Sequence, residues 1–186
     1  MRIFGVDPGS ARTGYGCIET SGSHHRIVVC GALSVQARLP FSEKLMSLHG
    51  RLAELISRHK PDAVAVEDLF HAKNARSALK LGHVRGIVLL AAAQAGVPVA
   101  EYTPTQVKRA VVGYGRAGKH QVQEMVTLLL GLKKRPSPLD VSDALAVAVC
   151  HAHLQGAVQN EIVENDSSSP KIRSWRQYRP EGPGES

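Results

Sequence analysis

Short apolar runs alternate with amphipathic stripes along this chain, and their order sets the expected fold. The run Arg2-Ile-Phe-Gly-Val-Asp7 reads as a buried strand, and Pro8-Gly9 forbids its continuation past Asp7. Thr13 to Glu19 and Arg26 to Val35 are rich in Tyr, Val and Ile and are separated by Ser21-Gly-Ser-His24, which predicts antiparallel strands continuing from the first. Ser42 is placed to cap a helix that carries Leu45, Leu48, Leu52, Leu55 and Ile56 on one stripe and stops at Pro61. Asp62-Ala-Val-Ala-Val-Glu67 then repeats the opening arrangement, an apolar run that ends in a carboxylate. Asn74 caps a long helix with Ala78, Leu81, Val84, Val88 and Ala91 near helical spacing, and Val97 to Tyr102 is a further buried strand. Thr103-Pro-Thr-Gln106 is a capping box with Pro at the first helical position, so a short helix runs through about Val112. After the glycine-rich break Gly113 to Gly118, Lys119 to Leu130 resumes helix, and Ser137 caps a last helix from Pro138 to about Gln155.

Three strands followed by helices alternating with strands predict an α/β fold, a mixed sheet with helices on both faces. Its cleft should lie at the carboxyl ends of the first and fourth strands. A chain of 186 residues suits one domain with a sizeable core. We expect that domain over 1–155 and a flexible tail over 156–186, because the sequence after Gly156 turns polar and rich in Pro and Gly. Trp175 and Tyr178 in the tail read either as a docking patch or as incidental aromatics.

Charge sharpens this picture. Lys and Arg outnumber Asp and Glu by 23 to 16, which favours polyanionic partners. From His71 to Arg135 there are eleven cations against only Glu101 and Glu124, so one span carries more than the whole excess. Three cysteines without a CxxC spacing predict a reducing compartment, and the absence of a long apolar run predicts a cytoplasmic protein without membrane insertion.

The chemistry is carried by acids. Asp7 and Glu67 hold equivalent places at the ends of two strands, and a like-charged pair in a crevice is costly without a cation. Asp68 faces the other side of its strand. Asp140 and Asp143, spaced i and i+3, lie on one face of the last helix. Two readings fit this second pair: first-turn acids that favour the helix dipole, or ligands driven against the sheet by the apolar Ala144-Leu-Ala-Val-Ala-Val149 that follows. Four oxygen ligands suit Mg2+ or Mn2+ better than zinc. Two such ions about 3.5 to 4 Å apart can activate water and stabilise a leaving oxygen in phosphodiester cleavage, and the cationic span would hold the nucleic acid against the acids. Cys150, His151 and His153 have spacings that do not converge on one ion, while His71 and His120 read as loop histidines or as aids to proton transfer.

The stretches FGVDPGSARTGYG, VAVEDLFHAKNARSALKLGHVRG, QVKRAVVGYGRAGKHQVQEMV and DVSDALAVAVCHAH together resemble the RuvC family of Holliday junction resolvases, of the ribonuclease H-like superfamily. The resemblance covers about Met1 to Leu154. It implies a five-stranded mixed sheet flanked by helices and an endonuclease that resolves four-way DNA junctions by paired symmetrical nicks, with roles in recombination and repair. It implies Asp7, Glu67, Asp140 and Asp143 as ligands of two Mg2+ ions, with Mn2+ as a substitute. Lys119 would serve both catalysis and DNA binding, and Lys108, Lys73 and Arg76 would contact DNA. Phe70 matches an aromatic that stacks at the junction centre, although by itself it also reads as a core plug. A homodimer and a branch-migration complex of RuvA and RuvB type are the implied partners. The amino-terminal strand, Asp and Gly also describe the phosphate loop of sugar kinases and actin-like ATPases, but those need two such domains.

Overall fold

In the computed structural model, which describes the backbone of residues 1–68 and 74–166 and side chains as far as residue 156, Arg2–Asp7 forms strand β1. It pairs antiparallel with β2 (Arg12–Ser21), which pairs antiparallel with β3 (His24–Ser34). On its other side β1 pairs parallel with β4 (Ala63–Glu67), and β4 pairs parallel with β5 (Val99–Tyr102). The sheet order is therefore β3-β2-β1-β4-β5, five strands and mixed, as the element pattern and the resemblance imply.

Alternation sorts the side chains. Phe4, Val6, Cys17, Val64 and Val66 turn to one face, where α1 (Phe41–His59) and α2 (Ala75–Gln94) cover them. Ile3, Ile18, Ala65 and Tyr102 turn to the other, against α3 (Pro104–Val112), α4 (Lys119–Leu129) and α5 (Leu139–Asp166). From Ala144 to Cys150 every side chain of α5 is buried, so this helix crosses the sheet as core rather than as an amphipathic cover. Among the described residues no helix is long and apolar enough to cross a membrane.

Asn74 accepts a hydrogen bond from the Ser77 N–H, and Thr103 with Gln106 forms the expected capping box. Three expectations shift. Ser42 does not cap α1: the helix starts at Phe41, its flanking residue is Pro40, and the Lys44 N–H bonds to the Pro40 carbonyl, which leaves Ser42 inside the first turn. Ser137 is exposed, and the bonds that anchor the start of α5 run from the Val141 N–H to the Pro138 carbonyl and from the Ser142 hydroxyl to the Pro136 carbonyl. Helix α5 also continues to Asp166 instead of stopping near Gln155, since one glycine costs a helix only about 1 kcal/mol and the next proline is Pro170.

Candidate active site

Strand pairing brings the first two acids together. Val6 lies beside Val66 in the parallel β1–β4 ladder, so Asp7 and Glu67 leave adjacent strands at the same end of the sheet. Both belong to the face covered by α5. The Thr13 hydroxyl donates to the Gly9 carbonyl at 3.1 Å, closing the turn after Asp7 and returning the chain so that Gly14 pairs with Asp7.

Three glycines then fix the second pair. A methyl group on Gly14 would overlap the Asp140 carbonyl, one on Gly5 would meet the Ala144 carbonyl and Ala148, and one on Gly16 would meet the Leu145 side chain. The start of α5 thus lies backbone to backbone on β1 and β2, a separation only glycine allows. Asp140 and Asp143 on its first turns are carried to the sheet end where Asp7 and Glu67 emerge.

The electrostatics follow from that convergence. Burial, and after it the charges of Asp143, Glu67 and Asp140, push the Asp7 carboxyl from the usual 3.8 up to about 7. Burial and Asp143 push Glu67 to about 7 as well, against the lowering pull of Lys119 and Lys108. Burial likewise raises Asp143, whose oxygen Oδ2 lies 3.3 Å from the Lys119 ammonium. Lys119 is the first residue of α4 and its side chain is 69% exposed, against 18% for Asp143. The Lys119 ammonium therefore reaches in from solvent to the acids. Arg12 does the same for Asp140, at 3.6 Å.

Glu67, Lys108, Lys119 and Asp143 line one cavity of about 190 Å³, with Pro104, Val107, Val122 and Ala146 as its apolar wall. A larger cavity of about 530 Å³ lies between α1 and α2, lined by Ala53, Ile56, Lys60 and Gln94 among others, and has no carboxylate. Size does not identify the site; charge does. Among the described residues no three side chains stand ready as a metal cage; Asp143 is paired with Lys119 and Asp140 with Arg12. The donor set itself is four hard carboxylates whose mutual repulsion a divalent cation would relieve, and it fits Mg2+ or Mn2+.

Sequence reasoning named Asp7, Glu67, Asp140, Asp143, Lys108 and Lys119, and all six meet at this end of the sheet. Arg76 lies exposed in the first turn of α2. Phe70, Lys73 and His71 lie outside the described residues, as do Trp175 and Tyr178. His120 is exposed beside Lys119. His151 meets the Tyr102 hydroxyl at 2.7 Å, and His153 meets the Ala110 carbonyl and His25, so neither histidine points to the acids. Arg12 was missed; its only signal was a cation inside the glycine-rich turn that follows Asp7.

With this geometry in place, comparison with known proteins is specific. Residues 3–151 match the family described as Crossover junction endodeoxyribonuclease RuvC. A protein of that name from Pelotomaculum thermopropionicum is 55% identical over 153 residues, covering 82% of this chain and 93% of the relative. Another from Pelobacter propionicus is 48% identical over 182 residues, covering 97% of this chain and 100% of the relative. The structure of Thermus thermophilus RuvC in complex with a Holliday junction substrate superposes with a TM-score of 0.82 at 38% identity, covering 85% of this chain and 96% of that one. Its sheet, its converging acids and these similarities agree that the chain belongs to the RuvC family of crossover junction endodeoxyribonucleases.

Proposed function

We propose that this protein resolves four-way DNA junctions in recombination and repair by paired, symmetrical nicks that depend on Mg2+. The observation that carries the reading is the convergence of Asp7, Glu67, Asp140 and Asp143, from three separate elements, at one end of the sheet, beside a cavity that Glu67 and Asp143 line together with Lys108 and Lys119. Two divalent cations held by these carboxylates would supply activation of water and charge stabilisation at the leaving oxygen, with Mn2+ able to substitute.

The chain's own part is to place the DNA. Lys119 now neutralises Asp143; with a phosphate in the site its ammonium, at the mouth of the cavity, binds a non-bridging oxygen instead and offsets the charge of the reacting group. Lys108 grips the adjoining backbone, and Arg76 and Lys73 add further contacts to the DNA. Phe70 stacks on a base at the junction centre, worth about 1 to 3 kcal/mol. Arg12 joins this set by its distance to Asp140.

Two nicks need two sites, so the reading includes a homodimer. Helix α2 supports it with an uncovered face: Leu79 is 65% exposed and Leu90 48%, and Gly82 and Gly86 between them have open space where a side chain would be. A RuvA and RuvB type branch-migration complex in the cytoplasm would deliver the substrate. The test is a mobile four-way junction in Mg2+ and in Mn2+, with cut positions mapped. Symmetrical paired nicks by the wild type, and none by Asp7→Asn with junction binding retained, are expected. Equal cutting of linear duplex would overturn the proposal.

A further inference from the structure

Consecutive strand residues face opposite sides, so the end of β4 sends Glu67 toward α5 and the next residue, Asp68, toward α2. Asp68 takes no part in the acid cluster. It is held by Arg85, near the middle of α2, whose Nη2 lies 3.3 Å from Asp68 Oδ1 and also pairs with Glu101 on β5. Val66 is the ladder partner of Glu101, and the Asp68 N–H donates to the Tyr102 carbonyl at 2.7 Å. One guanidinium thus ties the ends of two neighbouring strands to one helix, directly behind Glu67.

Arg85 and Asp68 are partly buried, at 30% and 28% exposure, while Glu101 is exposed at 38%. Without the cation, these two carboxylates at neighbouring strand ends would repel each other. The place that yields is the end of the β4–β5 ladder, whose last pair is Glu67 with Tyr102. The Arg85 Nε is buried without a partner among the described groups, so the guanidinium is placed for the two acids rather than for full hydrogen bonding.

We propose that Arg85 is a positioning residue for the reaction: by holding Asp68 and Glu101 on the α2 side, it fixes the backbone from which Glu67 reaches the acid cluster. This rests on the reading of Glu67 as a metal ligand. Arg85 touches neither DNA phosphate nor metal in this role. Its loss weakens the metal site while the junction is still bound.

The test compares wild type, Asp7→Asn, Arg85→Ala, Arg85→Lys and the neutral triple variant Arg85→Met, Asp68→Asn, Glu101→Gln. Mn2+ binding to the free protein is read from loss of the free-ion paramagnetic resonance signal. Junction affinity in EDTA, single-turnover cleavage against Mg2+ concentration, and melting temperature complete the set. Arg85→Ala should weaken Mn2+ binding and raise half-saturating Mg2+ by about 10- to 100-fold, the usual cost of losing support behind a ligand, with junction affinity unchanged within about twofold. Arg85→Lys should fall between, at wild-type melting temperature, and the neutral triple variant should recover metal binding relative to Arg85→Ala. A lower melting temperature in Arg85→Ala with wild-type Mn2+ affinity would overturn the inference, and should that variant not fold, wild-type affinity in Arg85→Lys would do so. If Asp7→Asn binds Mn2+ and cleaves as wild type does, the reading of the acid cluster fails first and takes this inference with it.

Discussion

Replacing Asp7 with asparagine should make the metal-free protein more stable while abolishing cleavage. Asp7 is raised from 3.8 to about 7, first by burial and then by Asp143, Glu67 and Asp140. The folded state therefore holds the proton more tightly than the unfolded chain. Its contribution to stability is complete below about pH 4, is lost as pH rises to about 7, and is gone above that. Taken alone, the displacement corresponds to about 4 kcal/mol. Because the acids titrate together and Asp7 keeps some contact with water, we take about 2 kcal/mol as the recoverable part. In a chain of this size that amounts to a rise in melting temperature of about 4 to 8 °C. Scanning calorimetry in EDTA should show Asp7→Asn above wild type by this margin at pH 8 and by less than half of it at pH 5. Saturating Mg2+ should narrow the gap at pH 8, since the wild type gains more from the cation. An asparagine variant less stable than wild type at pH 8, or a gap that ignores pH, would refute the electrostatic account of the site.

Four further outcomes follow from the same geometry. Asp7 and Glu67 must shed protons to bind a cation, so half-saturating Mg2+ should fall as pH rises from 6 to 8, and a flat dependence in a calorimetric titration would count against ligation by these two. Lys119→Ala should cut single-turnover cleavage by about 100-fold, as removal of one stabilising donor does elsewhere, with Lys133→Ala near wild type; equal losses would dissociate Lys119 from the reacting phosphate. Gly14→Ala should cost about 1 to 3 kcal/mol in denaturant unfolding and impair cleavage, because its methyl group overlaps the Asp140 carbonyl. Gly50→Ala on α1, with open space at that position, should stabilise by about 0.5 to 1 kcal/mol.

Much of this was legible in the residue order because the strongest signals are local. Runs ending in Asp7 and Glu67, the capping residues Asn74 and Thr103, and the apolar stretch after Asp143 each act within a few positions, and each leads to the element observed. Gly14 and Gly16 stand plainly in the sequence after Asp7, but which element packs on them depends on how α5 crosses the sheet. The ion cluster of Arg85, Asp68 and Glu101 was invisible for the same reason: its members come from three elements, and no period links them. Ser42 and Ser137 show the opposite limit, since a residue suited to capping does not cap when the chain already turns at Pro40 or Pro138.

The acids stand at positions 7, 67, 140 and 143 of the chain, and two of them ride on the final helix. During synthesis nearly the entire domain must leave the ribosome before a complete set of carboxylates exists, and contacts this remote in the chain form late in folding. A polypeptide that ends before Asp140 has every cation from Lys73 to Arg135 but only two of the four carboxylates. In a member of a nuclease family, the order of the residues thus makes the cutting centre the last part to be completed.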